Sequence, residues 1–199
     1  MRIIGITGGV ASGKTVVAQG FAALGAGVLD ADRAGHDALR LPHVETAARQ
    51  RWGDAIFGPD GRIDRARLAR IVFAAGPGAE RERKYLEQLT HPEIGRLLTR
   101  QAEAFETAGV KAAVLDAALL FEAGWNKMCE RNVFIESPRE VRLARALGRG
   151  WTAEDFAARE GVQESLDRKR ALADVIIDNS GSPERTQAQV ERFWASLIP

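Results

Sequence analysis

The stretch IIGITGGVASGKT, residues 3–15, decides the fold of this chain. It begins with a short β-branched run and passes at once into glycines, a pattern typical of a buried strand that ends in a tight loop. After Thr15, apolar residues recur at helical spacing: Val16, Val17, Phe21 and Leu24. Gly25 follows where such a helix would stop. The pattern therefore predicts a strand, a loop and a helix in direct succession.

The loop matches the pattern G-x-x-x-x-G-K-[ST]. Its glycines let backbone amides converge on a phosphate, and the following helix adds its free N-terminal amides. Lys14 would place its charge on the β- and γ-phosphates, and the hydroxyl of Thr15 suits Mg²⁺. We therefore predict a site for ATP and Mg²⁺. The predicted nucleotide-binding residues here are Gly8, Gly9, Val10, Ala11, Ser12, Gly13, Lys14, Thr15 and Val16.

Four more short apolar runs have the character of strands, and helical patterns separate them. They are Val28–Leu29, Val114–Leu115, Val133–Ile135 and Val175–Ile177. Strands that alternate with helices indicate parallel βαβ units. The expected fold is α/β, a three-layer fold of the P-loop NTPase type with a five-stranded parallel sheet. The apolar stripe near the C-terminus, Val190 to Leu197, predicts a last helix that packs on this sheet.

Two segments are expected outside the sheet. Residues 34–109 contain helical patterns but no strand pattern, which predicts a helical insertion, and His91–Pro92 is expected to break a helix there. The segment after residue 138 is rich in arginine and glycine, as in a mobile helical lid. We therefore assign three parts: a nucleotide-binding core of residues 1–33, 110–137 and 164–199, a substrate-binding insertion of residues 34–109, and a lid of residues 138–163.

Composition limits the partners. The formal net charge is +1 over 199 residues, so the surface as a whole does not attract nucleic acid or an anionic membrane. Cys129 is the single cysteine, which excludes an intrachain disulfide and a cysteine zinc site. The N-terminal apolar run is too short for a signal peptide. We expect a cytoplasmic protein, and nothing in the composition implies an obligate protein partner.

Carboxylates follow two of the predicted strands. Asp32 comes just after the second strand, where ligands bind in an open parallel sheet, so it could accept the proton of an attacking hydroxyl. An N-cap of the next helix explains Asp32 equally well. Asp116 ends the third strand and could hold Mg²⁺, or it could form a cap or an ion pair.

Several classes of P-loop protein compete. A guanine-reading Asn-Lys-x-Asp motif fails at Cys129, where the aspartate would stand, and helicases and transporter ATPases need longer chains. The helical insertion and the arginine-rich segment favour a small-molecule kinase. A nucleoside or nucleoside monophosphate kinase remains the second choice, and a regulatory P-loop protein without a small acceptor is the alternative outside enzymes.

The order and spacing of several segments resemble dephospho-coenzyme A kinase. These segments are residues 6–15, 28–32, 61–65, 116–122 and 173–179, together with His91–Pro92. The resemblance implies transfer of the γ-phosphate of ATP to the ribose 3′-hydroxyl of dephospho-coenzyme A, the last step of coenzyme A synthesis.

The resemblance also implies roles for individual residues. Asp32 would be the catalytic base, assisted by Lys14 and Arg145. Arg149 would close over the phosphates from the lid, and Asn179 would lie near the adenine. Spacing predicts that Arg142, Arg145 and Arg149 share one helical face, although a solvated face is the competing explanation. Acceptor contacts would come from Asp32, Asp64, Arg65, His91, Leu119 and Glu122, and Mg²⁺ would bind Thr15 and Asp116.

This chain departs from the pattern of that family at four places. Ala11 stands where glycine is usual, Val16 where threonine is usual, Ala118 where proline is usual, and Arg142 where glutamine is usual. None of these departures removes a proton acceptor or a phosphate ligand.

Overall fold

The computed structural model describes residues 1–74 and 76–198. Within them, five strands form one parallel sheet in the order β2-β3-β1-β4-β5, which confirms the predicted α/β architecture. The strands are β1 Arg2–Gly8, β2 Gly27–Asp30, β3 Ala112–Asp116, β4 Arg131–Glu136 and β5 Val175–Asp178. The strand that leads into the phosphate loop is therefore the central one.

Helices connect the strands and cover the sheet. They are α1 Lys14–Ala23, α2 Ala31–Ala38, α3 Pro42–Trp52, α4 Arg65–Val72, α5 Pro77–Thr107, α6 Arg139–Leu147, α7 Ala153–Gly161, α8 Leu166–Ala171 and α9 Pro183–Leu197. Two short 3₁₀ turns lie at Asp54–Ile56 and Trp125–Met128. Among the described residues, no helix combines the length and the apolar character that crossing a membrane requires.

The sheet register brings two carboxylates to one edge. Asp116, the last residue of β3, is in register with Asp30 of β2 on one side and with Ile6 of β1 on the other. Because all strands are parallel, their carboxyl ends face the same edge, where ligands of open α/β sheets bind. The phosphate loop leaves β1 at this edge.

The main core lies between the sheet, α1 and α9. Ile4 and Ile6 of β1 are fully buried, and so is Phe21 of α1. Phe21 packs against Phe193 and Trp194 of α9, with ring centroids 6.0 Å and 6.2 Å apart. The predicted apolar stripe of the last helix therefore covers the core, as its helical spacing indicated.

The chain divides into two compact units. The larger contains Met1–Asp30 and the chain from Gln101 onward, and the smaller contains Ala31–Arg100. The sequence pattern predicts the corresponding boundaries at residues 34 and 110, whereas the units change at residues 31 and 101. The observed boundaries follow the helices: α2 begins directly after β2, and the last turns of α5 belong to the larger unit.

The expected helix break at His91–Pro92 is wrong, because α5 runs without interruption from Pro77 to Thr107. A proline inside a helix costs about 3 kcal/mol. In α5, one face of the helix stays buried on both sides of Pro92. Its buried residues are four positions apart: Thr90, Ile94 and Leu98. Burial of this face offsets the local cost, a tertiary effect that the dipeptide alone does not reveal.

The smaller unit contains a charged cluster beside its own apolar core. Glu82 accepts two hydrogen bonds from Arg51, both 2.8 Å long, and a third from Nε1 of Trp52 at 2.9 Å. The guanidinium of Arg51 also lies 5.0 Å from the centre of the Tyr85 ring. The hydrogen bond from Arg51 is the main reason that the pKa of Glu82 falls from 4.5 to about 2. The cluster thus ties α3 to α5 through a carboxylate that stays charged in acid.

We predict that Glu82→Gln destabilises the protein at pH 7 and makes its stability less sensitive to acid. A carboxyl whose pKa is lowered by folding contributes stability above its unfolded value near 4.5, and this contribution is lost as the pH falls towards 2. Urea unfolding midpoints measured between pH 7 and pH 2.5 test this. Glu103→Gln, at an exposed position of the same helix, is the control. Parallel pH curves for wild type and Glu82→Gln would contradict the prediction.

Candidate active site

The phosphate loop forms a cradle of backbone amides between β1 and α1. Gly13 has φ of 92°, which turns the chain into the helix, and the amide of Ser12 donates to the carbonyl of Gly9 at 3.1 Å. The amides of Ala11, Gly13 and Thr15 donate to no backbone carbonyl in the part of the chain that the structure describes. Amides at a helix N-terminus without such partners are the donors that a phosphate takes up.

Steric limits explain the small residues of this loop. A side chain at Gly8 would place its Cβ 2.7 Å from the carbonyl oxygen of Ile135, which excludes one. Ala11 has φ of 57°, and it is the one non-glycine residue with positive φ among the described residues. A left-handed conformation costs a non-glycine residue roughly 1–2 kcal/mol. This strain explains why glycine is the usual residue at that position.

The carbonyl oxygen of Ser12 is the point to which three side chains anchor the loop. Nδ2 of Asn179 donates to it at 2.7 Å and a guanidinium N–H of Arg145 at 3.1 Å. Oγ of Ser137 lies 3.1 Å from it and shares its single proton with the carbonyl of Asn179 at 2.9 Å. Ser12, Ser137 and Asn179 are buried. The loop is thereby joined to the segment after β4, to α6 and to the end of β5.

Within the described residues, Arg145 has only neutral oxygen partners. Besides Ser12, its guanidinium donates to Oγ of Ser137 at 3.2 Å and to the carbonyl of Asn179 at 2.7 Å. No carboxylate forms an ion pair with Arg145 within the described chain. Its charge is therefore not neutralised by the protein and is held beside the phosphate loop, where it favours a bound anion.

Arg142 connects the same loop to the arginine-rich segment. Its side chain is 4% exposed and donates to the carbonyl of Val10 at 3.3 Å and to Oε1 of Glu160 at 2.7 Å. Glu160 also accepts from Arg139 at 2.8 Å. Burial alone would raise the pKa of Glu160, but the hydrogen bonds from both arginines outweigh it and lower that pKa. α6 is therefore joined to the phosphate loop through Arg142 and to α7 through the carboxylate of Glu160.

The expected single face of three arginines is wrong. α6 ends at Leu147, so Arg149 lies outside the helix and is exposed. Gly148 and Gly150 flank it, and Gly150 has φ of 81°, a conformation that does not continue a helix. Arg142 is buried and Arg145 is half-buried, so these arginines have different environments.

Asn179 uses both ends of its side-chain amide within the protein. Nδ2 donates to Ser12 as described, and Oδ1 accepts from the hydroxyl of Thr186 at 3.0 Å. These contacts show that the side chain supports the phosphate loop, while the expected position near the adenine stays a prediction. Sequence reasoning missed Ser137 and Thr186, because a lone serine or threonine carries no pattern.

The oxygen ligands expected for Mg²⁺ belong to the same unit as the loop. Thr15 is exposed in the first turn of α1, and Asp116 ends β3 beside Asp30. Hydroxyl and carboxylate oxygens are the hard donors that Mg²⁺ prefers, so the residues present fit this ion.

The residues expected to contact the acceptor lie in both units. In the smaller unit, Asp32 is exposed in the first turn of α2, and Arg65 begins α4. Asp64 is the N-cap of α4 and accepts from the amides of the second and third helical residues at 2.9 Å and 3.1 Å. His91 lies inside α5.

In the larger unit, Leu119 and Glu122 belong to the turn that follows β3. Oε1 of Glu122 lies 2.7 Å from Nζ of Lys169, a partner that sequence reasoning missed. Lys169 is a single lysine on a helix between two arginines, and no sequence pattern marks it as a partner of Glu122. Contacts of all these residues with a substrate stay predictions.

The parallel sheet and the phosphate loop on its central strand define a P-loop kinase-type α/β protein. The chain belongs to the dephospho-CoA kinase family, whose profile matches residues 2–184. This confirms the resemblance found in the sequence.

Individual proteins agree with this placement. The dephospho-CoA kinase of Symbiobacterium thermophilum is 42% identical, over 98% of this chain and 80% of the relative. The structure of TT1252 from Thermus thermophilus has a TM-score of 0.84 and 33% identity, covering 100% of this chain and 98% of that one. The dephospho-CoA kinase of Campylobacter jejuni has a TM-score of 0.72 and 25% identity, over 99% and 98% of the two chains.

We predict that Asn179→Ala lowers the free energy of unfolding by about 1–3 kcal/mol, because a buried carbonyl and a buried hydroxyl each lose a partner. ATP binding should weaken as well, since the loop loses one of its three anchors. Urea unfolding and titration with a fluorescent ATP analogue measure the two effects. Thr186→Val, which removes only the hydroxyl, should affect stability more than ATP affinity. An adenine-reading role predicts the opposite for Asn179→Ala: reduced preference for ATP over GTP with unchanged stability.

Proposed function

We propose that this chain performs the reaction of its family, in which the γ-phosphate of ATP is transferred to the ribose 3′-hydroxyl of dephospho-CoA to give CoA and ADP. One observation carries the proposal: the family match runs from β1 through β5 into α9 and is not confined to the phosphate loop. A phosphate loop alone is shared by many nucleotide-binding proteins, whereas the acceptor is set by the remaining chain.

The loop would bind the β- and γ-phosphates. Unused backbone amides at Ala11, Gly13 and Thr15 supply donors directed at an anion, and Lys14 adds a full positive charge. Such preorganised donors stabilise the charge that develops in phosphoryl transfer without rearranging during the reaction. The anchoring of Ser12 keeps this cradle in one conformation.

Arg145 would stabilise charge on the transferred phosphate. It is held by neutral carbonyl and hydroxyl oxygens beside the loop and keeps its own charge available. Arg149 is exposed just after α6, so its contribution requires residues 138–163 to act as a lid that closes over the nucleotide.

Mg²⁺ would be held by Thr15 and Asp116. When bound, this ion neutralises charge on the phosphate oxygens, and Thr15 and Asp116 help to orient these oxygens. Thr15 follows the loop directly, and Asp116 lies on the strand next to β1, which supports this assignment.

Asp32 would accept the proton of the 3′-hydroxyl. It follows the carboxyl end of β2 by two residues and is exposed, as a base must be to reach a substrate. Asp64, Arg65, His91, Leu119 and Glu122 would contact the acceptor. Asp64 would do so with a carboxylate that already caps α4. We place the reaction in the cytoplasm, where ATP is supplied, and propose no nucleic acid and no obligate protein partner.

We predict that Asp32→Asn keeps ATP affinity but loses roughly 10²–10⁴-fold in turnover, because an amide cannot accept the proton. Titration with a fluorescent ATP analogue and steady-state ADP release measure the two quantities. Asp37→Asn, an exposed position on the same helix, is the matched control. Reduced stability with turnover per folded molecule unchanged would instead support a purely structural role for Asp32, whose charge lies in the first turn of α2.

The function itself is tested by ADP release with ATP and Mg²⁺ in the presence of dephospho-CoA, adenosine, AMP or no acceptor. Stimulation by dephospho-CoA alone, lost in Lys14→Ala, is the expected result, because Lys14 acts mainly on the transition state. Stimulation by AMP or adenosine would show instead that the chain is a nucleoside monophosphate kinase or a nucleoside kinase. If no acceptor stimulates ADP release, the kinase proposal fails and a regulatory P-loop protein is favoured.

A further inference from the structure

Lys169 has an environment that a lysine rarely occupies. It lies near the end of α8, and its side chain has no solvent exposure. Lysine is almost never fully buried unless its charge is paired, because moving an ammonium group out of water costs several kcal/mol. The neighbouring Arg168 side chain is 69% exposed and that of Arg170 is 51% exposed, so burial is specific to Lys169.

Both partners of this ammonium group belong to one turn. Nζ of Lys169 donates to the carbonyl oxygen of Ala118 at 2.8 Å and lies 2.7 Å from Oε1 of Glu122. The contact with Ala118 is a charge-assisted hydrogen bond, and the contact with Glu122 is a close ion pair. The two acceptors lie near the two ends of the turn formed by residues 117–124, so the lysine fixes the turn as a whole.

This turn follows directly from the candidate Mg²⁺ ligand Asp116. Its first residue, Ala117, donates to the carbonyl of Ile6 at 3.3 Å, and Leu120 is fully buried. The start of the turn is therefore attached to the strand that carries the phosphate loop, and Lys169 holds the turn at Ala118 and at Glu122. The turn presents Leu119 and Glu122, which we assign to the acceptor.

Glu122 divides its two carboxylate oxygens between protein and solvent. Oε1 forms the ion pair with the ammonium group of Lys169 and also accepts a hydrogen bond from the amide of Glu164 at 3.1 Å. Oε2 has no hydrogen-bond partner among the described residues, and the side chain is 22% exposed. One oxygen is thus held in place while the other can accept a hydrogen bond from a ligand.

We infer that Lys169 is a positioning residue for the acceptor: its buried ammonium group holds the turn of residues 117–124 and directs Glu122 towards dephospho-CoA. This inference rests on the proposed function. Among the described residues, the hydrogen-bond and ion-pair partners of Lys169 lie outside the phosphate loop, so its effect is expected on the acceptor rather than on ATP.

Three variants test the inference: Lys169→Met, Glu122→Gln and the double variant. Lys169→Met should raise the KM for dephospho-CoA roughly tenfold or more while the KM for ATP stays within about twofold, because only the acceptor loses its support. The double variant should show no further rise over Glu122→Gln, since both changes break the same contact. Lys127→Met, an exposed lysine just after the same turn, is the matched control.

Stability measurements separate this role from a merely structural one. Lys169→Met leaves a carboxylate without its partner, and Glu122→Gln in the same molecule should restore part of the lost stability without restoring the KM. Lower stability with an unchanged KM for dephospho-CoA would overturn the inference, and so would equal rises in both KM values. Effects of the single variants that multiply in the double variant would also overturn it.

Hydrogen exchange distinguishes failure of this inference from failure of the proposed function. Amides of residues 117–124 and of Glu164 should exchange faster in Lys169→Met, while those of the phosphate loop should not change. Unchanged exchange in the turn would overturn the inference even if the enzyme phosphorylates dephospho-CoA. A wild-type chain that neither binds nor phosphorylates dephospho-CoA would refute the proposed function, and the acceptor role of Lys169 with it, whatever the exchange shows.

Discussion

The three hydrogen bonds on the carbonyl oxygen of Ser12 are the constraint on which the larger unit depends. A phosphate loop must keep its amides directed at one point, yet its glycines and short side chains give it little stiffness of its own. Here the stiffness comes from Ser137, Arg145 and Asn179, which reach the loop from three different elements. Nucleotide binding and the packing of α6 and β5 are therefore coupled through one atom.

Buried cations organise the surroundings of this loop. Arg142 and Lys169 are almost completely buried. Each forms an ion pair with a glutamate and donates a hydrogen bond to a backbone carbonyl. Such ion pairs add little net stability, because the cost of removing both charges from water offsets their attraction. Removing one partner is strongly destabilising, because it leaves a buried charge without a partner. These ion pairs therefore impose geometry more than they add stability. Arg142 joins the arginine-rich segment to the loop, and Lys169 holds the turn after β3.

The differences between expectation and structure have local causes. Pro92 is tolerated inside α5 because buried residues on either side of it stabilise a continuous helix. Arg149 lies outside α6 because two glycines end the helix before the third arginine of the pattern. Ala11 keeps a left-handed backbone that glycine would adopt without strain. The predictions for Pro92 and Arg149 were wrong because they used the local pattern alone, whereas packing and a helix end decided the outcome.

The sequence by itself determined the five strands, the phosphate loop and the family, because strand periodicity, glycine spacing and the Gly-Lys-Thr motif act over neighbouring residues. The family resemblance also singled out Arg145 and Asn179, for roles at the nucleotide that stay predictions. Only the tertiary structure decided what these side chains touch. Ser12 meets Asn179 across more than 160 positions of the chain, and β4, α6 and α7 lie between Glu122 and the helix that carries Lys169. Such partners carry no signal in a single sequence, because a hydrogen bond needs proximity in space and leaves no spacing in the chain.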